Sequence, residues 1–306
     1  GQLILSILLV FATYSLVYIA FILSQEGEIR APHLLVFLWL FINCLLLTLT
    51  YPVIYIFEKV FGYTSDITLL ELSNPNHPAL RSLTQKAPGT FQHSLMVANL
   101  AEEAIYRIGG NPLLVRTGAL YHDIGKTYDP IFFIENQSGG MNPHNKCDFD
   151  ESAKRIIDHV TQGIELAKKY NLPENIVNFI RTHHGKSKVR YFYNSFKNKY
   201  PDREIDESLF TYNGPDPVSR ECAVVMMADA VEAASRALAE KTEENITKLV
   251  NEIIDNQLQE GRFSNADLTL KDIATTKSAF IDMLTSIYHS RIAYPKLKNE
   301  TEDNQH

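Results

Sequence analysis

Cysteine is scarce in this chain of 306 residues. Cys44, Cys147 and Cys222 lie far apart and are odd in number, which excludes a disulfide framework and points the chemistry-bearing part to a reducing compartment. A basic surplus is missing too. Lys and Arg total 29 against 36 Asp and Glu, a formal net charge of −7. That excludes a generic duplex-DNA binder, and no DNA or RNA polymer is expected as a partner. A small anionic ligand held by a few local cations stays allowed. Runs of alternating polar and apolar residues are absent beyond residue 88, as are internal repeats and low-complexity tracts, so the soluble part reads as all-α.

Charge itself is absent from two long stretches. Residues 2–23, "QLILSILLVFATYSLVYIAFIL", and residues 34–57, "LLVFLWLFINCLLLTLTYPVIYIF", contain none. At 1.5 Å per residue each reaches about the ~30 Å of a bilayer core. Ten residues, "SQEGEIRAPH", join them into an antiparallel hairpin with two Glu and one Arg. Lys59, Arg81 and Lys86 follow the second span, a bias that favours a cytoplasmic C-terminal part. The expectation is a multi-pass protein of the cytoplasmic membrane. A chain that starts on Gly1, directly against a span, reads as the C-terminal portion of something longer. Expected domains are a hairpin over 1–58, a juxtamembrane connector over 59–87, a helical domain over 88–295 and a flexible tail over 296–306.

Helical periodicity places helices at 90–108, 112–124, 149–170, 173–184, 217–240, 243–259 and 270–290. Asn111-Pro112 supplies an N-cap followed by proline at the first helical position, and Gly125 and Gly185 fall where helices should end. Polar residues intrude on the apolar faces. His93 shares a face with Met96, Val97 and Leu100; His122 and Asp123 stand in "GALYHDIGK"; His159 lies beside Ile156 and Val160. His183 and His184 close an apolar helix, and Asp229 follows seven uncharged residues. A buried unpaired carboxylate costs several kcal/mol. Independent intrusions on five helices would need five compensating networks, whereas one bound metal cluster compensates them all. Five His and two Asp suffice for two metals, particularly with a bridging carboxylate.

The ordered set His93, His122-Asp123, Asp229 resembles the HD superfamily of metal-dependent phosphohydrolases, and the additional His159 and His183-His184 resemble its two-metal branch. "NPNHPALRSLTQKAPGTFQHSLMVANLAEEA", "YHDIGK", "FFIENQ", "GIELAKKYNLP", "HHG", "ADAVEAASR" and "IYHSRIAYP" together look like the seven-transmembrane HD phosphodiesterases that degrade cyclic di-AMP. The resemblance covers about residues 70–295, and only the last two of the family's seven spans are present. It implies an HD-domain helical bundle with a dinuclear site. One metal would be held by His93, His122, Asp123 and Asp229, the second by His159, His183 and His184, with Asp123 bridging. His and carboxylate donors without Cys suit Fe or Mn; Zn is allowed, and Mg alone is disfavoured by five imidazoles.

The implied reaction is hydrolysis of cyclic di-AMP to linear pApA by a metal-bridging hydroxide, with Asp123 as the central carboxylate. Lys126 would hold a phosphate oxygen, a role the family motif includes, or else pair a carboxylate. Glu232 and Arg236 form an i,i+4 pair that either supports the ligands or lies on the surface; Arg236 is a candidate substrate contact. Residues 186–200, "KSKVRYFYNSFKNKY", either stack a base, with Tyr191 the candidate, or pack aromatics inward beneath a solvated basic face. His144 is placed on a loop, His33 and His77 in solvent, and His289 has no assigned role. Another cyclic dinucleotide, a nucleotide phosphoester, or oxygen activation by a di-iron site remain rival readings. A homodimer stays open.

Overall fold

The computed structural model describes residues 2–28, 30–137, 139 and 142–289; the expected tail at 296–306 and the side chain of His289 lie outside the described residues. The chain divides into two units, Gly1–Ser65 and Asp66–His306.

In the first unit α1 (Gln2–Gln25) and α2 (Ala31–Leu47) pair antiparallel, with Phe11 edge-on to Phe41 at 5.9 Å and Tyr18 edge-on to Phe37 at 5.4 Å. The second apolar stretch is not one unbroken helix. It stops at Leu47 and restarts as α3 (Thr50–Phe61). Pro52 is the cause: it has no N–H to offer the carbonyl of residue 48, and its ring crowds that turn. At the break Thr48 donates its hydroxyl to Leu45 O at 2.6 Å. Ile4–Gln25 and Ala31–Phe61 are each long and apolar enough to cross a membrane, and almost none of their surface is buried within the protein.

The second unit begins inside the stretch expected as a connector. α4 (Asp66–Leu72) and α5 (Pro78–Lys86) put Leu69, Leu72, Ala79, Leu80 and Leu83 into the interior. Full burial of such side chains stabilises by about 1.5–3 kcal/mol each, so 66–86 belongs to the folded body rather than to a linker. Then follow α6 (Pro88–Arg107), α7 (Pro112–Tyr121), α8 (Phe149–Lys169), α9 (Glu174–Thr182), α10 (Arg190–Lys199), α11 (Arg220–Arg236), α12 (Glu243–Gln259) and α13 (Leu270–His289). Among the described residues there is no sheet, only an isolated antiparallel bridge between Lys188 and Thr211.

The core lies where α6, α7 and α11 meet. Ala98, Ala101 and Ala104 of α6 and Ala223 and Ala228 of α11 are fully buried, and such small side chains let the helix backbones approach closely. Tyr121 donates to Leu72 O at 2.8 Å, tying α7 to α4. Helix α7 ends three residues sooner than its periodicity predicts. His122 caps it, and Ile124–Thr127 turn as a short 3-10 helix. The reason is a backbone contact with α8. A Cβ on Gly125 would stand 1.8 Å from His159 O and 2.6 Å from Gly163 N, so only glycine permits the approach.

Candidate metal centre

Five elements converge around Asp123. α6 presents His93, the end of α7 His122 and Asp123, α8 His159, the end of α9 His183 and His184, and α11 Asp229. Two sets of donor atoms lie mutually close: His93, His122, Asp123 and Asp229 in one, Asp123, His159, His183 and His184 in the other. Asp123 is common to both, with 1% of its surface exposed. Its two oxygens divide between them. Oδ2 is 3.2 Å from His122 Nε2 and 3.6 Å from His93 Nε2, while Oδ1 is 3.2 Å from His159 Nε2 and 3.5 Å from His183 Nε2. Asp229 Oδ1 stands 2.9 Å from His93 Nε2.

Outer acceptors orient four of the imidazoles. His122 Nδ1–H donates to Ala119 O at 2.7 Å, His159 Nδ1–H to Ile156 O at 2.5 Å and His183 Nδ1–H to Ile180 O at 2.9 Å. Each acceptor is the carbonyl three residues earlier. His93 Nδ1–H donates to Glu232 Oε2 at 2.5 Å, and Arg236 grips Glu232 Oε1 through Nε and Nη2, both at 2.6 Å. With every Nδ1 occupied, Nε2 is left to face inward as a ligand atom. His184 is oriented differently: its ring lies 4.2 Å from that of Tyr212, tilted by 30°.

These residues fit divalent transition ions. His159 Nε2 and His183 Nε2 face each other at 3.2 Å, two lone pairs in contact unless a cation lies between them. His122 Nε2 and both Asp123 oxygens are buried without a hydrogen-bond partner. Nitrogen and carboxylate donors without sulfur suit first-row transition metals.

The electrostatics split the cluster. Burial disfavours the charged form of His93, His122, Asp123, His183, His184 and Asp229. At His122 the neighbouring Asp123 and Asp229 outweigh burial and raise the imidazole to about 10; hydrogen bonds to Asp229 and Glu232 raise His93 likewise. The same partners reverse the burial effect at Asp123 and Asp229, holding both well below the usual carboxylate range. His183 and His184 are lowered, first by burial and then by neighbouring imidazoles.

Lys126 points inward, its Nζ 2.7 Å from Asp123 Oδ2 and 3.0 Å from Glu135 Oε1. Glu135 belongs to a strap, residues 128–137, fastened to the start of α6. Thr90 Oγ1 donates to Glu135 Oε1 at 3.0 Å, Asn136 Oδ1 accepts the Thr90 N–H at 3.1 Å, and Asn136 Nδ2 donates to Thr90 Oγ1 at 2.8 Å. The helix carrying His93 is therefore capped by a residue 46 positions away, where its own N-cap, Ala87, has no side chain able to do so. Phe133 packs edge-on to His159 at 5.7 Å, and Lys126 Nζ lies 4.9 Å over its ring.

Two cavities flank the cluster. One of about 530 Å³ is lined by His93, Lys126, Phe133, Glu135, Glu232 and Arg236. The other, of about 360 Å³, runs between α11, α12 and residues 183–190 and includes Lys188 and Ile253. His184, Tyr212 and Asp229 line both.

All seven expected ligand positions are thus brought together, with Lys126 and Arg236 on one cavity wall. Tyr191 is not. It is 75% exposed on α10 and lines neither cavity. Phe192 on the same helix is buried with Ala153 and Phe210, and Tyr193 and Phe196 pack against them, so the aromatics of 186–200 serve packing and leave Tyr191 in solvent. His144 Nε2 donates to Phe132 O at 2.9 Å. His77 is engaged rather than solvated, its Nδ1 3.0 Å from the Tyr121 hydroxyl. Glu135, Thr90, Asn136 and Tyr212 were missed. "FFIENQ" marks the strap as a motif without revealing its partner, and nothing local distinguishes Tyr212.

A helical body that gathers five His and two Asp around one shared carboxylate defines a class, and the chain belongs to the HD-domain family, matching the HD domain over residues 90–234. Among relatives, it is 46% identical over 240 residues to the cyclic-di-AMP phosphodiesterase PgpH of Bacillus subtilis, and 42% over 247 residues to that of Listeria monocytogenes. These stretches cover 78% and 81% of this chain but 34% of each relative, so the chain spans about a third of their length. A crystal structure of the L. monocytogenes PgpH HD domain in complex with cyclic-di-AMP superposes with a TM-score of 0.67 at 41% identity, covering 70% of this chain and 100% of the other.

Proposed function

We propose that this chain is a metal-dependent phosphodiesterase that opens cyclic di-AMP to linear pApA, turning over a second messenger. The observation that carries the reading is the division of Asp123 between two donor sets, in a chain whose relatives are cyclic-di-AMP phosphodiesterases. His93, His122, Asp123 and Asp229 hold one ion; Asp123, His159, His183 and His184 hold the second, with Fe or Mn preferred by these donors. Bound there, two divalent ions supply Lewis acidity to the phosphoryl oxygens and a water nucleophile at neutral pH.

The chain's own residues do the rest. Asp123 keeps the two donor sets in fixed register. Lys126, positioned on the cavity wall by Glu135, places a positive charge where a phosphate oxygen enters. Arg236 contributes a second cation on the same wall while holding Glu232 against His93. Phe133 and Ile156 make that wall apolar enough to exclude water around the phosphodiester. We place the two apolar N-terminal helices in the cytoplasmic membrane as part of a multi-pass domain, with the catalytic unit in the cytoplasm. A homodimer is compatible with this arrangement, and no nucleic-acid polymer is a partner.

The test is hydrolysis of cyclic di-AMP and cyclic di-GMP by the detergent-solubilised chain loaded with Mn or Fe, resolved by chromatography. Selective formation of pApA, abolished in Asp123→Ala, is expected. Two bound metals with neither substrate cleaved would overturn the reading and favour oxygen activation or another phosphoester.

A further inference from the structure

Tyr212 is held by its backbone rather than by its side chain. Val189 N–H donates to Phe210 O at 2.8 Å and Tyr212 N–H to Ser187 O at 2.9 Å. Together with the Lys188–Thr211 bridge these bonds clamp residues 210–212 onto the turn that follows His184. The clamp delivers the phenol ring onto His184, 4.2 Å between centroids, and edge-on to His159 at 6.0 Å. Only 7% of the residue is exposed.

The hydroxyl makes no hydrogen bond among the described residues, and it is not sealed inside the protein either. Tyr212 lines both cavities, on the wall it shares with His184 and Asp229. Packing against His184 needs only a six-membered ring, which phenylalanine would supply equally well. A buried phenol ordinarily finds a partner for its O–H. Asp123 and Asp229 lie against imidazoles and Lys126, and no hydrogen bond joins either to the Tyr212 hydroxyl among the described residues, so its acceptor comes from the cavity side. With one face of the ring against His184, stacking a nucleobase is a poor use of the side chain, whereas a donor beside the metal-ligand wall is well placed for an anionic oxygen.

We propose that Tyr212 is a catalytic residue whose hydroxyl donates a hydrogen bond to a non-bridging oxygen of the scissile phosphate. This rests on the phosphodiesterase reading above and adds a neutral donor to the cations on the wall. A phenol is protonated at neutral pH and can donate without leaving a second charge in the site. Lys126 and Tyr212 both line the larger cavity, so the phosphate would be met by both.

The experiment compares the metal-loaded chain with Tyr212→Phe and, as a control, Tyr193→Phe, whose hydroxyl donates to Glu207 Oε1 at 2.7 Å away from both cavities. For Tyr212→Phe we expect kcat on cyclic di-AMP to fall roughly 100-fold, the low end of the range for loss of one transition-state donor. KM should stay within about threefold, with metal content unchanged. Calorimetric titration with inorganic phosphate should show several-fold weaker binding in Tyr212→Phe and none of that loss in Tyr193→Phe. Replacing one non-bridging oxygen of the substrate with sulfur, a weaker acceptor, should shrink the Tyr212→Phe penalty for one diastereomer. Unchanged kcat and phosphate affinity would overturn the proposal. Loss of metal from Tyr212→Phe would also overturn it, assigning the hydroxyl to the upkeep of the metal-ligand cluster instead. A wild-type chain that cleaves no cyclic di-AMP sinks the phosphodiesterase reading, and the phosphate titration then still decides the role of Tyr212.

Discussion

The two halves of the metal-ligand cluster share Asp123 and differ in almost everything else. The half built by His93, His122 and Asp229 is rich in carboxylate, backed by Glu232 and Arg236, and its three ligand positions are buried. Its imidazoles are raised, so without metal it carries protons in place of ions. The half built by His159, His183 and His184 is rich in imidazole; His183 and His184 are lowered, and the His184 side chain is 25% exposed on the shared wall of the two cavities. Similar donor atoms, in surroundings of different charge, hold protons more tightly at His93 and His122 and less tightly at His183 and His184. Metal uptake should therefore release more protons at the first half than at the second.

The severest way to break the comparison is to remove what the halves share. Asp123→Ala should lose both ions by metal analysis, and activity should drop beyond the about 10²–10³-fold that one transition-state donor is worth. Next comes Gly125→Ala, which leaves every ligand in place but pushes a methyl into His159 O. Forcing α7 and α8 apart should cost about 1–3 kcal/mol, the usual range for overpacking, seen as a lower Tm with both metals weakened together.

Glu232→Gln separates the halves. It removes the anion behind His93 but nothing near His183, so one ion should bind about 10–100-fold more weakly while the second is retained. His184→Ala should do the reverse. The protonation contrast gives the next effect. His122 is raised to about 10 and so holds its proton at neutral pH until metal displaces it. Affinity at that half should rise by up to about tenfold per pH unit between 6.5 and 10, with proton release in an unbuffered titration; His183 and His184, lowered by burial, should make the other half less pH-dependent. Glu135→Gln should be mildest. Gln retains an acceptor for Thr90 but loses the charge beside Lys126, so KM should rise a few-fold with metal content unchanged; a larger effect in Thr90→Val would make the strap, not the charge, the important feature.

Much of this was legible before any fold was known. The helix pattern placed α6, α8, α12 and α13 within two residues of where they lie, because apolar residues recur at the period that buries one face. The clustering of the seven side chains was legible because imidazoles and carboxylates on apolar faces have no cheap explanation other than a shared cation. Tyr191 shows the limit: an alternation of cations with aromatics identifies a two-faced helix but not which face meets a ligand. The early end of α7 was hidden for a related reason. It follows from the Gly125 contact with His159 O, made across 34 positions of sequence.

What the sequence by itself determined is the local chemistry: two charge-free runs, helices of stated period, and seven candidate metal-binding side chains on apolar faces. These depend on spacing along one helix, which the chain carries explicitly. Only the tertiary structure decided that one Asp123 oxygen faces each half, that Asn136 caps α6, that Glu135 holds Lys126, and that Tyr212 brings an unpartnered hydroxyl to the cavity wall. Each of these is a distance between residues far apart in the chain, set by how closely backbones can approach, and no local pattern encodes it.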